Sequence, residues 1–172
     1  MKKFASILMA TLLIGLLAGC GDSLPDQVNV ATEKATPIYK EYSISGVTFE
    51  LPEAWTIEKS ESGLDAKFND DNVFTVWSQE VKSDEFDVFS EYFVPKVLKE
   101  QNGVVLNEPT KTTYASHTAY NFKAETTVSG KTAPVKVTTL SVEDTAIIFL
   151  LTYTNDEYDF EKEYDHMLAT LK

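Results

Sequence analysis

The segment AIIFLLTY, from Ala146 to Tyr153, constrains the fold more than any other stretch of this sequence. It is apolar throughout and lacks the alternation of a strand with one face in solvent. A strand that is apolar on both faces needs protein cover on both sides of its sheet. We therefore expect a strand here, with helices flanking the sheet to which it belongs.

Short apolar or alternating segments bounded by Gly, Pro, Asn or Asp predict the other strands. They lie at 47–51, at 55–57, at 64–68, at 73–79, at 104–108, at 112–128 and at 131–142. The run NDDN from Asn69 to Asn72 predicts a turn, and Ser129-Gly130 predicts a hairpin connection. Pro134 predicts an edge position or a bulge early in its strand, because proline cannot donate a backbone hydrogen bond.

A first helix is predicted from Ser83 to Asn102-Gly103. Ser83 is the expected N-cap, and the acidic residues at 84, 85 and 87 favour the positive end of the helix dipole. One apolar stripe follows the helical period: Phe86, Phe89, Phe93 and Val97. Pro95 lacks a backbone donor, so we expect a kink or break near 93–94. Asn102-Gly103 then ends the helix, since both residues tolerate positive φ.

A second helix is predicted from about Asp156 to Leu171, with Asn155 or Thr154 as its cap. Its expected buried stripe is apolar at helical spacing: Phe160, Tyr164, Met167, Leu168 and Leu171. The order of strands, helix, strands and helix predicts class α+β, an antiparallel sheet of about six or seven strands flanked by helices.

The first twenty residues have the order of a secretory signal. Lys2 and Lys3 precede an apolar run of about 14 residues, which is too short for a lasting bilayer-spanning helix. The motif Leu17-Ala18-Gly19-Cys20 resembles the lipobox of bacterial lipoproteins. That resemblance implies a diacylglycerol on the sulfur of Cys20 and cleavage before it, and two acyl chains suffice for stable anchoring.

The expected organisation has three parts: a signal peptide at 1–19, a lipidated N-terminus and flexible tether at 20–41, and one globular domain at 42–172. The tether contains Gly, Ser, Pro, Asp and Thr without a sustained apolar period. Cys20 is the only cysteine, so the mature chain forms no internal disulfide. The domain must therefore be stable through its core alone, even in an oxidising compartment.

The charge of the mature chain excludes two classes of partner. Without Lys2 and Lys3, 13 of the 15 basic residues remain against 27 acidic ones, a formal charge of −14. Such a surface repels the phosphates of nucleic acids and anionic lipid headgroups. We therefore expect no nucleic-acid partner, and we expect the lipid, rather than a basic face, to hold the protein at the membrane. All basic residues are lysines, which indicates a Gram-positive source and hence a cell-surface location.

The stretch GVTFELPEAW resembles the opening of PsbP-like domains, which begin with an apolar strand, a Leu-Pro and a nearby Trp. The matching residues in this chain are Val47, Phe49, Leu51, Pro52 and Trp55. With the order of predicted elements, the resemblance extends over about residues 42–171. It implies a PsbP-like α/β/α sandwich and a non-enzymatic, protein-binding or scaffold role. It assigns no metal, cofactor or partner residues to this chain.

The residues themselves provide few candidates for chemistry. Ser116 and His117 are adjacent in a predicted strand, so their side chains point to opposite faces and do not form a nucleophile–base pair. Glu163 and His166 are spaced to share a divalent ion, but two ligands are too few for a zinc site. A solvated acidic helix face is the preferred interpretation of that pair.

Two further features have a structural and a functional interpretation. The NDDN run lacks the spacing of an EF-hand calcium loop, so the hairpin turn is preferred. Trp55 and Trp77 are expected in the core; the alternative is that either of them lines a ligand-binding groove. We therefore predict no catalytic residue, no cofactor and no metal ligand.

Two functions are consistent with these features. The first is a lipoprotein anchored through Cys20 on the extracytoplasmic face of the cell membrane, which binds a protein partner and is not an enzyme. The alternative is a lipoprotein that binds a small ligand or a metal for transport or envelope sensing. The alternative predicts an apolar pocket of roughly 300 Å³ or more beside the sheet.

Overall fold

The computed structural model describes residues 36–154 and 158–172. The strands in these residues are β1 (Tyr39–Ile44), β2 (Val47–Pro52), β3 (Thr56–Lys59), β4 (Gly63–Asn69), β5 (Asn72–Glu80), β6 (Val104–Val105), β7 (Thr110–Tyr114), β8 (His117–Val128), β9 (Lys131–Val142) and β10 (Thr145–Thr152). The helices are α1 (Phe86–Val88), α2 (Val94–Glu100) and α3 (Phe160–Ala169). A π-helical turn, Phe89–Phe93, joins α1 to α2, and we call the whole of 86–100 the central helix.

Among the described residues, eight strands form one antiparallel sheet in the order β3-β4-β5-β10-β9-β8-β6, and β7 follows β6 along the same edge of β8. The apolar segment AIIFLLTY forms most of β10, which lies between β5 and β9. Ile147 and Phe149 of β10 enter one buried cluster, and Ala146 and Ile148 enter the other. The predicted cover on both faces and the α+β class are therefore confirmed.

The β1–β2 hairpin and α3 cover one face of the sheet. Phe49 of β2 packs edge-on against Phe74 and Phe149 of the sheet. The predicted stripe of α3 is buried in the same cluster. The end of the chain also pairs with the hairpin, because Thr48 and Lys172 exchange backbone hydrogen bonds of 3.1 Å.

The central helix covers the other face, over β8, β9 and β10. Phe86, Phe89 and Val94 pack there with Phe122 and Ile148 of the sheet. The helix therefore crosses the sheet on the side opposite to α3.

The expected interruption at Pro95 takes the form of the π-helical turn. The backbone N–H of Val94 donates to the carbonyl of Phe89, five residues back, and α2 then continues with Pro95 in its first turn. In the first turn of α2 a backbone N–H would have no partner within that helix, so the missing N–H of Pro95 breaks no hydrogen bond there. The wider π-helical turn therefore accommodates Pro95 without ending the helix. The expected cap at Ser83 is wrong, because the helix begins after Glu85 and has no side-chain cap.

The predicted strand at 112–128 is two strands, β7 and β8. Ala115 and Ser116 form a tight turn between them, with φ of 47° and 69°. Neither residue is a glycine, so the turn carries no sequence signal of the kind used for hairpins. The Ser129-Gly130 connection is confirmed, with φ of 50° and 77°.

Pro134 occupies a local edge of β9. It faces Glu125 of β8, while the pairing of β9 with β10 begins only at Val135. Hydrogen-bonded and non-hydrogen-bonded pairs alternate from the closing pair Val128–Lys131, so Glu125–Pro134 is a non-hydrogen-bonded pair. The nitrogen of Pro134 therefore points away from β8, to the side where β10 no longer pairs with β9.

The first strand and the last helix begin at residues other than those predicted. The first strand starts at Tyr39, so three residues assigned to the tether pair with β2. The last helix starts at Phe160, and its cap is Asp159, whose carboxyl group accepts a hydrogen bond from the N–H of Lys162. Thr154 is therefore not the cap, and Asn155 and Asp156 lie outside the described residues.

Candidate functional site

The pair Glu163 and His166 does not form a solvated acidic face, so that interpretation is wrong. Glu163 is 4% exposed and His166 is half-buried, whereas the neighbouring Asp165 is exposed. The two side chains turn toward the β1–β2 hairpin. His166 Nε2 lies 3.1 Å from Glu50 Oε2, so the imidazole pairs with a hairpin carboxyl group.

Tyr39 completes this contact between the hairpin and α3. Its hydroxyl donates to Glu163 Oε2 at 2.9 Å, and its ring stacks on His166 with ring centres 3.8 Å apart. Burial raises the pKa of Tyr39 to about 12, with smaller contributions from the hydrogen bond to Glu163 and from nearby carboxyl charges. The contact therefore joins β1, whose first three residues lie in the expected tether, to the last helix.

Tyr158 and Trp55 extend the cluster toward the β4–β5 turn. Burial, and then the charge of Glu163, raises the pKa of Tyr158 far above its usual value. Trp55 is buried between Tyr158 and Phe160, with ring centres 6.4 Å and 6.3 Å away. Its indole N–H faces Tyr158 but meets no acceptor in hydrogen-bond geometry within the described part of the chain. Trp55 is therefore a core residue, as expected.

None of the other candidate residues forms a site. In residues 36–154 and 158–172, no group of three or more His, Cys, Asp and Glu is placed to hold a metal ion. Ser116 is in a turn rather than a strand, so the opposite-face argument does not apply to it, and His117 begins β8 opposite Tyr114. In the NDDN turn, the Asn69 side-chain oxygen accepts from the Asp71 N–H and the Asn72 amide, which gives that side chain a structural role.

A shallow polar cleft lies between the tip of the β1–β2 hairpin and the β3–β4 turn. Its volume is about 180 Å³, below the roughly 300 Å³ expected for an apolar ligand pocket. It is lined by Ser43, Ile44, Ser45, Lys59, Ser60, Glu61, Ser62, Gly63, Leu64 and Ser78. This cleft does not have the apolar lining that the small-ligand alternative predicts.

The outward surface of the central helix carries two large, exposed apolar side chains. Val88 is 62% exposed and Tyr92, one turn later, is 68% exposed. Asp84 and Glu85, in the turn that precedes the helix, and Glu91, between Val88 and Tyr92 in sequence, are also exposed. We call these five residues the acidic helix face. Residues four apart are neighbours on a helix surface, and apolar side chains exposed beside charged ones are found at protein interaction sites.

The inner side of the same helix is closely packed against the sheet. Ser90, in the π-helical turn, and Thr139 of β9 are fully buried, and the Thr139 hydroxyl donates to that of Ser90 at 2.7 Å. Of the predicted stripe, Phe86, Phe89 and Phe93 pack in the cluster with the sheet. After the wider turn the packed residues are Val94 and Leu98, so the expected place of Val97 in the stripe is wrong. The exposed side chains therefore project from a helix with a defined position.

A charged contact also fixes the helix to the sheet edge. Lys111 of β7 donates to both carboxyl oxygens of Asp87 at 2.9 Å, and this contact lowers the pKa of Asp87. Beneath it, burial raises the pKa of Tyr120 to about 12, with further contributions from hydrogen bonding to Asp87 and Glu91. Asp84 and Glu85, by contrast, form no ion pair with any of the described residues.

The expected lipidation site, Cys20, lies outside the described residues. Within 36–154 and 158–172, none of the helices has the length and apolarity needed to cross a bilayer.

Two solved structures share the fold of this chain. The solution structure of the cyanobacterial PsbP protein CyanoP from Synechocystis sp. PCC 6803 aligns with a TM-score of 0.57 at 15% identity, covering 84% of this chain and 98% of that one. The crystal structure of LpqN, involved in cell envelope biogenesis of Mycobacterium tuberculosis, aligns with a TM-score of 0.54 at 14% identity, covering 80% and 88%. No protein-family model and no curated protein matches the sequence. The chain therefore has a PsbP-like fold, as the sequence resemblance implied.

Proposed function

We propose that this protein is a lipid-anchored, extracytoplasmic accessory module that binds a protein partner and catalyses no reaction. The observation that carries the proposal is the acidic helix face, where Val88 and Tyr92 lie exposed on a firmly packed helix. A rigid surface of this kind binds with little loss of conformational entropy. Binding through such a surface requires no catalytic group.

The structural neighbours support an accessory role in the cell envelope. CyanoP has the same fold, and LpqN, which also shares it, is involved in cell envelope biogenesis. The lipobox-like Leu17-Ala18-Gly19-Cys20 adds an anchor of the expected chemistry. The mature charge of −14 means that an anionic membrane does not attract the domain itself.

The anchor is tested by mass analysis of the protein purified from its own membranes. We expect a mature product that begins at Cys20 and carries a diacylglycerol and fatty acid. Cys20→Ala should abolish the lipid mass and release the protein from the membrane fraction. An unlipidated residue 20 in the native protein would refute the anchor.

Protein binding is tested by formaldehyde crosslinking of living cells, followed by purification of the full-length protein and mass spectrometry. We expect a recurrent protein partner that survives stringent washing and is lost when Cys20→Ala displaces the module. If repeated crosslinking recovers no specific protein, the binding role is wrong.

The small-ligand alternative is tested by the melting temperature of the protein. A ligand present at 100 times its Kd stabilises the folded state by about 2.7 kcal/mol, which shifts the melting temperature measurably. We expect no shift with divalent ions or common metabolites. A reproducible shift with one of them would instead favour the alternative.

A further inference from the structure

We propose that the acidic helix face docks a basic, amphipathic segment of the partner protein. This inference rests on the proposed protein-binding function and adds the surface and the chemistry of the partner. The segment 84–92 contains four acidic residues and no basic one. Two large apolar side chains, Val88 and Tyr92, lie exposed among them.

The charge of this surface is only partly compensated within the domain. Asp87, which lies next to this face in sequence, pairs with Lys111, and Glu91 interacts with the Tyr120 hydroxyl. Asp84 and Glu85 have no ion-pair partner among the described residues. Lysine or arginine side chains of a partner would complement these carboxyl groups and would steer the encounter.

The apolar residues set the position of the contact. Val88 and Tyr92 are one turn apart on the same side of the helix, so a partner side chain can pack between them. Tyrosine is enriched among the residues that contribute most to binding, because its ring is large and its hydroxyl still finds a partner. The expected docking segment therefore combines apolar residues with lysine or arginine.

Charge also argues against two other occupants of this surface. A second copy would bring another mature chain with a formal charge of −14 against an acidic face. Anionic lipid headgroups would be repelled for the same reason. A basic protein segment is the occupant that the charge of the surface fits.

The experiment places a photo-crosslinking amino acid in the full-length, membrane-anchored protein in living cells. The probe position is Val88→benzoylphenylalanine, which leaves Tyr92 in place. The matched control is Leu106→benzoylphenylalanine, since Leu106 is 52% exposed but lies beside β8 rather than on the central helix. The captured peptide is identified by mass spectrometry and then synthesised for affinity measurements with the purified protein.

We expect the probe at 88 to capture a segment with a net positive charge, and the probe at 106 to capture none. Tyr92→Ala should weaken binding of the synthetic segment by about tenfold or more. Asp84→Lys with Glu85→Lys should weaken it by at least about tenfold at low salt and by less at high salt. Tyr92→Phe is the conservative control. All these positions are exposed, so the melting temperature should stay within a few degrees of the wild type.

The other outcomes separate this inference from the proposed function. Capture of a lipid, of a second copy or of an acidic segment at position 88 overturns the inference, as does binding that is insensitive to the charge reversal. If the probe at 88 captures no protein and the probe at 106 does, the inference is also overturned, but the binding function remains supported. If neither probe captures a protein, the inference is overturned as well. In that case, formaldehyde crosslinking that recovers no partner overturns the binding function too.

Discussion

The hydroxyl of Tyr39 provides a direct measure of how strongly the N-terminal hairpin is held to α3. Tyr39→Phe removes the donor that lies 2.9 Å from Glu163 Oε2 and keeps the ring that stacks on His166. A hydrogen bond to a charged group contributes about 1.5–3 kcal/mol. Because Tyr158 also interacts with Glu163, we expect the lower end, a loss of about 1.5 kcal/mol in the free energy of unfolding.

The pairwise part of this loss is isolated by a double-mutant cycle with Glu163→Leu. The leucine removes the buried acceptor and replaces it by an apolar side chain of similar size. If the two groups interact as the structure shows, the coupling energy between the two substitutions should be at least about 1 kcal/mol. A second cycle with Tyr92→Phe should give no coupling, since Tyr92 is exposed on the opposite side of the sheet.

Urea unfolding followed by tryptophan fluorescence measures these free energies, because Trp55 lies in the same cluster. An unchanged m-value would show that the variants unfold in the same way. A coupling energy within about 0.3 kcal/mol of zero would show that Tyr39 and Glu163 act independently. It would refute the assignment of a stabilising contact between the hairpin and α3.

Three further predictions concern other parts of the fold. Stability should fall as the pH rises from about 10 to about 12, because the unfolded chain releases the Tyr120 proton before the folded one does. Tyr120→Phe should reduce the slope of the unfolding free energy against pH in that window by up to about 1.4 kcal/mol per pH unit. Gly63→Ala should destabilise the domain by about 1–3 kcal/mol in urea unfolding, since a Cβ there would lie 2.5 Å from the carbonyl oxygen of Val76 and no flexible side chain can move away. Asp159→Ala should lower the melting temperature through the loss of about 1 kcal/mol from its cap of α3, and Asp159→Asn should retain most of that stability. An unchanged pH slope in Tyr120→Phe, or unchanged stability in Gly63→Ala or Asp159→Ala, would contradict the corresponding contact.

Most of the element order could be predicted because it depends on neighbours in sequence. The apolar run in β10, the alternation in β2 and the positive-φ residues at Ser129-Gly130 are local patterns, and the structure confirms each of them. The errors are local as well. The turn at Ala115-Ser116 uses residues that seldom adopt positive φ, so no residue type marks it.

The acidic helix face could have been found in part from the sequence. Val88 and Tyr92 are four residues apart and lie off the stripe that begins with Phe86 and Phe89, so their exposure follows from helical geometry. The sequence does not show that Asp87 is neutralised by Lys111, because that contact joins residues 24 positions apart across a sheet edge.

The sequence by itself determined the α+β class and the strand that needs cover on both faces, because both depend on short-range periodicity. Its compact motif at 17–20 predicts an anchor at Cys20. Only the tertiary structure decided that Glu163 and His166 are packed against the hairpin instead of lying in solvent. Their partners Tyr39 and Glu50 are 124 and 116 positions away along the chain. Helical spacing shows which residues share a face, but the burial of that face depends on which distant strand packs against it.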